Sequence, residues 1–228
     1  MTALRPAPSR LVATALADVA ELGPFFSITV GGPDPGWHPM AASYAAGLQD
    51  LVAATARRYR TGELRIAASV VQLGHAARLW SPVLACALVH GVVPDLDGLQ
   101  RADEGPHLRV PAAHGRHVPA SEPPAGELYR AVVTEHLEAL AAGLHVKVAP
   151  RLLYGNAASA LVEAARAILA ARPDLRDPLV RLTGRLLDTG RLAGTGDVID
   201  DDLAFRRRSC CLYYRVPDGV KCEDCALV

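Results

Sequence analysis

Sixteen consecutive positions near the C-terminus, Cys210 to Cys225, hold four of the chain's five cysteines in the order C-C-x10-C-x2-C. No other stretch so narrows what the chain can become. Thiols gathered that densely serve zinc, an iron–sulfur cluster or a pair of disulfides. The Cys222-x2-Cys225 half suits either metal, because a tight turn aims both sulfurs the same way. The Cys210-Cys211 half discriminates. Neighbours in an extended chain point to opposite faces, so an adjacent pair does not readily chelate one tetrahedral zinc. A cluster of two irons and two sulfides is wider and offers two metals. Disulfides ask for an oxidising compartment, and residues 1–20, with Arg5, Arg10 and Asp18, lack the compact apolar run of a secretory signal. Which cysteines would share an iron is left open, with Cys222 and Cys225 the natural pair and Asp218-Gly219 the turn that folds one half onto the other.

The residues around the cysteines carry a resemblance. Arg207-Arg208-Ser209-Cys210-Cys211, then Tyr214-Arg215-Val216-Pro217-Asp218, then Cys222-Glu223-Asp224-Cys225 resemble the C-terminal signature of the FhuF-type ferric-siderophore reductases. Upstream, Leu152-Leu153-Tyr154-Gly155-Asn156 and the apolar run from Leu79 to Leu88 fit that family's body more loosely. The body is in turn distantly similar to a domain of siderophore synthetases.

The resemblance implies a 2Fe-2S cluster on Cys210, Cys211, Cys222 and Cys225 and a one-electron reduction that frees iron(II). It further implies a ferric siderophore as substrate, of hydroxamate type, and an electron donor such as a ferredoxin or flavin reductase. Arg207, Arg208, Arg215 and Lys221 lie in the motif. Positive charge there is expected to tune the cluster or to dock a donor or an anionic chelate. The plainer reading of Arg206 to Arg208 is a solvated face paired with Asp200 to Asp202. Three alternatives stay open: an iron–sulfur electron carrier or sensor without siderophore activity, a zinc-stabilised binding domain, and a remnant of a siderophore-biosynthesis enzyme.

Charge and motifs exclude other classes. The 24 basic and 24 acidic residues cancel, which argues against a nucleic-acid binder. Gly31-Gly32 runs into prolines, and neither a P-loop nor a convincing G-x-G-x-x-G is present, so electrons are expected from a partner. The longest uncharged run, Leu79 to Pro94, is too short to cross a bilayer, which takes about 20 residues. The expected place is the cytoplasm, or loosely at the inner face of the membrane.

Half of the 228 residues are apolar and only 5% aromatic. Alanine and leucine carry much of the apolar share, which favours helices. The expected class is α+β, mostly helical: a helical body with a small antiparallel sheet over residues 1–195, and a cysteine-rich cluster-binding segment over 196–228. Helical spacing predicts Ser9–Glu21, Met40–Arg60, Leu64–Trp80, a restart at Ser81-Pro82 running to His90, a helix from Gly126, one capped by Asn156, and one opened by Asp177-Pro178. Phe25–Val30 reads as a strand and Pro33–Pro39 as a loop. Leu108–Val110 and His117-Val118 read as short strands about His114-Gly115 that pair with Phe25–Val30. Gly194–Asp202 reads as a polar linker.

Other polar residues are given ordinary roles. Cys86, between alanines, is a small core residue. His107, His114 and His117 match no metal spacing. His75 and Arg78 face either core or groove, and Trp37 and Trp80 belong to the core, lie under the cluster or line the groove.

Overall fold

A computed structural model describes residues 4–228. Two long helices organise it, α4 (Leu64–His90) and α7 (Pro150–Ala171), packed side by side. Their faces are rich in alanine, which lets two backbones approach closely. Around them lie α1 (Ser9–Ala20), α2 (Met40–Ala45), α3 (Gln49–Arg58) and α8 (Arg176–Leu187). A further helical run comprises α5 (Ala125–Tyr129), a π-helical stretch over Arg130–Leu137, and α6 (Glu138–Gly143). The main core includes Leu16, Trp80, Leu84, Leu128, Leu161 and Leu182, and a smaller cluster of Val52, Ala56, Ala67 and Ala68 lies between α3 and α4.

Helix α4 runs unbroken through Pro82, where the sequence predicts a restart. Proline removes one backbone donor and usually kinks a helix. Here Leu79 to Cys86 are wholly enclosed, and burial on all sides keeps the axis continuous. The opposite happens at Met40–Arg60. Gly47 (φ 62°) and Leu48 (φ 50°) turn left-handed and divide the expected helix into α2 and α3. Nothing larger than hydrogen fits at Gly47, where a Cβ would strike the Gly143 carbonyl.

The small sheet holds β1 (Thr29–Val30), β5 (Leu108–Val110), β4 (Gln100–Ala102) and β2 (Trp37–Pro39), in that order. It is antiparallel apart from β1, which pairs with β5 in parallel (Thr29 opposite Arg109). Only the last two residues of the expected Phe25–Val30 strand are extended in the sheet, and the expected loop before Met40 supplies β2. β6 (Gly115–His117) pairs with β3 (Val92–Pro94) rather than with β5. The buried Arg109 guanidinium lies over the Trp37 ring and donates to the carbonyls of Gly31, Gly32 and Pro33. One side chain thereby ties the Gly31–Pro33 loop to the sheet.

β7 (Gly196–Val198), inside the expected linker Gly194–Asp202, and β8 (Phe205–Arg207), just beyond it, form a two-stranded ribbon. The ribbon delivers the cysteine segment onto α4 and α7. No described helix is long and apolar enough to cross a membrane.

Candidate iron–sulfur site and its groove

Asn156 sits in the interior of α7, which begins at Pro150 behind Ala149, so it is not the cap that the sequence suggests. It is 1% exposed. Its amide nitrogen lies 3.0 Å from the Ser69 carbonyl and 3.0 Å from Gln72 Oε1, both on α4. Its Oδ1 accepts from Arg207 Nη1 at 3.0 Å. Buried polar groups persist when every donor and acceptor is answered. Asn156 therefore locks α4, α7 and the tail together.

Arg207 is the next link. Its side chain is 1% exposed, and Nε lies 2.7 Å from Asp224 Oδ2. Nη2 donates to Asp224 Oδ1 at 3.0 Å and to Cys222 Sγ at 2.7 Å. Burial opposes the charge, but Asp224, Cys211 and Cys222 outweigh it and hold the guanidinium above its ordinary range. A second link reaches Cys211, whose carbonyl accepts from Ser69 Oγ at 2.8 Å. Ser209 Oγ donates to the Arg151 carbonyl at 3.1 Å.

All five cysteines are free thiols. Cys211 and Cys222 approach to 3.7 Å between sulfurs, beyond the roughly 2.05 Å of a disulfide. Cys210 Sγ accepts from the Leu212 amide at 3.3 Å, and Leu212 takes a left-handed turn (φ 70°) to aim it. Burial pushes Cys222 up to about 12, against the pull of Arg207, and raises Cys210. Metal binding would displace such protons.

The tail carries the donors that an iron–sulfur group takes. Among the described residues, no three His, Cys, Asp or Glu side chains stand ready-placed around a metal position, so the cysteines would close on a metal group only as it binds. A 2Fe-2S group takes four thiolates spread over two irons and benefits from N–H groups aimed at sulfur. Here those donors come from Arg207 and the Leu212 backbone.

The motif's other cations have individual partners. Arg208 pairs with Asp197 at 2.8 Å and Arg215 with Glu63 at 2.8 Å. Lys221 donates to the Leu227 carbonyl. Asp202 is held by Arg176, so the plainer pairing of Arg206–Arg208 with Asp200–Asp202 does not occur for Arg207 or Arg208. Arg60 reaches Asp218 and Arg166 reaches Glu223, further ties between tail and body.

Beside Cys211 and Cys222 lies a groove of about 630 Å³. Small residues line both helices, Gly74 and Ala77 on α4 and Ala160, Ala164 and Ala167 on α7. Phe25, Phe26, Tyr59 and Tyr213 add aromatic walls, the last two as an edge-to-face pair 5.3 Å apart. Arg78 stacks over Phe25 at 4.6 Å on the rim. The groove's single lining cation, Arg207, is paired with Asp224, and the lining carboxylates Glu163 and Glu223 share Arg166 behind them, so acid outnumbers base in the wall. The sequence marked the four cysteines and Arg207. It missed Ser69, Asp224 and the aromatic walls, and the only available signal was the i, i+3, i+4 spacing of small residues on α4 and α7.

The remaining candidates lie elsewhere. His75 faces the core and contacts the Tyr44 hydroxyl at 2.7 Å, with His136 on its other side at 3.0 Å. Trp80 is enclosed in the core, and Cys86 is buried, its thiol pushed up to about 12.

Residues 207–227 match the family described as the FhuF 2Fe-2S C-terminal domain. Fold and site thus define an iron–sulfur protein whose cluster segment is docked on a helical body. The match supports assignment to the FhuF type, with a 2Fe-2S cluster as cofactor and an association with siderophores. No curated protein matched the chain.

Proposed function

We propose that the protein is a ferric-siderophore reductase acting in the cytoplasm. The observation that carries this reading is the groove: a ligand-sized apolar cleft with Cys211, Cys222 and Arg207 in its wall. Cavities of about 300–1,000 Å³ suit small organic ligands. Cys210, Cys211, Cys222 and Cys225 would hold the 2Fe-2S group, which when bound supplies a one-electron couple.

Iron(III) is gripped by hard oxygen ligands in such chelates, and iron(II) far more weakly, so a single electron loosens the metal. That electron comes from an external donor of the ferredoxin or flavin-reductase class. The chelate side is met by the body, residues 1–195, and the cluster side by residues 196–228. The aromatic and small apolar walls, whose one cation is already paired with Asp224 and so is not free to hold an anion, suit a neutral chelate, as three hydroxamate monoanions around iron(III) provide. Arg207 serves in tuning, while Arg208, Arg215 and Lys221, at the outer face of the tail, serve in donor docking. Free thiols at the site fit a reducing compartment.

The test is direct. Anaerobically purified protein should contain iron and sulfide and be EPR-active after dithionite. Reduced protein mixed with ferric trihydroxamate and a ferrous trap should reoxidise and deliver iron(II). Stoichiometric zinc, or no reoxidation over minutes with several chelates, would rule the reductase out.

A further inference from the structure

We propose that groove and thiol cluster are thermodynamically coupled, so that an occupant of the groove and the extra electron each weaken the other's hold. The inference rests on the reductase reading above and deepens it.

Cys211, Cys222 and Arg207 belong to both places. They are part of the groove wall, and they are two ligands of the cluster and the buried cation touching one of them. The groove is open, and of the three it is Cys222, only part-buried, that water now reaches, while Cys211 and Arg207 are enclosed. Reduction adds one negative charge to the thiolate group, and water in the groove helps to solvate it. A neutral chelate lying against Cys211 and Cys222 displaces that water. What remains are fixed donors, the Arg207 guanidinium and the Leu212 amide, already aimed at sulfur. Arg207 cannot move closer to compensate, because Asn156 holds Nη1 and Asp224 lies against both Nε and Nη2. Removing solvent from a charge costs more the larger the charge, so the reduced form loses more than the oxidised form.

The bound chelate therefore lowers the reduction potential. By reciprocity the oxidised protein holds the chelate more tightly than the reduced protein by the same factor. The electron is retained while the groove is empty and driven out once it fills. Electrons balance as before: one enters from the donor and one leaves to iron(III).

The experiment uses the full-length cluster-loaded protein and the gallium(III) complex of a trihydroxamate, which has the charge and shape of the iron(III) complex but accepts no electron. Its affinity is measured for dithionite-reduced and oxidised protein, and the potential by spectroelectrochemical titration with and without saturating complex. The expected result is at least tenfold tighter binding to oxidised protein and a fall in potential of about 59 mV or more, the one-electron equivalent of tenfold. Ala77→Trp and Val70→Trp, which fill the groove from α4, should abolish binding and leave the potential indifferent to the complex.

Equal affinity for both forms, or tighter binding to the reduced form, would overturn the coupling and leave the reductase reading standing. Binding that survives both tryptophan variants would overturn the groove as its seat. Failure of gallium and ferric complexes alike to bind would overturn the reductase reading itself.

Discussion

The Arg207 guanidinium and the Cys222 sulfur lie 2.7 Å apart, with Asp224 and Asn156 holding the guanidinium from two other sides. With Cys222 as a ligand, as proposed above, a charge fixed that close acts on the electron the cluster accepts. Arg207→Gln should lower the reduction potential by on the order of 100 mV, the scale of a unit charge several ångströms away at an effective dielectric near 20. Asp224→Asn should raise it. Opposite shifts in two variants that both retain the cluster are not a general loosening of the fold, and potentials that move together or not at all would refute the role of Arg207.

Serine in place of each cysteine separates ligands from bystanders. Cys210→Ser, Cys211→Ser, Cys222→Ser and Cys225→Ser should each lose or shift the visible and EPR spectrum. Cys86→Ser should keep the spectrum but cost about 1–3 kcal/mol, because a hydroxyl would be buried among apolar neighbours without a partner. Iron content and denaturant midpoints distinguish the two outcomes.

Gly219 lies in the turn between the cysteine pairs. A Cβ there would strike the Tyr213 carbonyl and lie 2.9 Å from the Val216 oxygen, both backbone atoms that cannot swing aside. Gly219→Ala should at least halve cluster occupancy while the far-ultraviolet signal of the helical body is kept. Full iron content in this variant would show that the turn is not required.

The buried pair His75 and His136 gives stability an acid limb. Burial lowers His75 to about 3, with repulsion from His136 adding to it, and lowers His136 to about 4. Between those values and the ordinary 6.5 the unfolded chain takes up protons that the folded chain refuses, so stability rises with pH across that window and is lost on acidification. The loss amounts to on the order of a few kcal/mol per histidine by pH 4. Denaturation midpoints between pH 7 and 4 should fall, and fall less steeply in a His75→Gln, His136→Gln double variant. Equal slopes would refute the assignment.

Asn156→Ala should cost about 2–4 kcal/mol, since Gln72, Ser69 and Arg207 would each lose a partner in a site closed to water. Leucine, closer in size, should do no better, because the loss lies in unanswered polar groups rather than in volume. Thermal melts of both variants provide the check, and a leucine variant as stable as the parent would show that the network adds nothing.

Local chemistry was legible in the chain itself. Cysteine spacing, the residues between, and the helical periodicity of α1, α7 and α8 depend on contacts a few residues long, and they pointed to the cluster and the mostly helical class. Decisions between distant segments were not legible. Pro82 lies in a continuous helix because enclosure by the core outweighs one missing hydrogen bond. The helix expected over Met40–Arg60 is divided because Gly143 closes on Gly47. β6 took β3 rather than β5, and Asn156 became a junction rather than a cap, because partners 21 to 25 and 87 residues away in the chain lay closer in space than local ones. Sequence fixes what each segment prefers. Only packing decides which preferences are honoured, and the groove beside Cys211 and Cys222 exists because α4, α7 and the tail meet there.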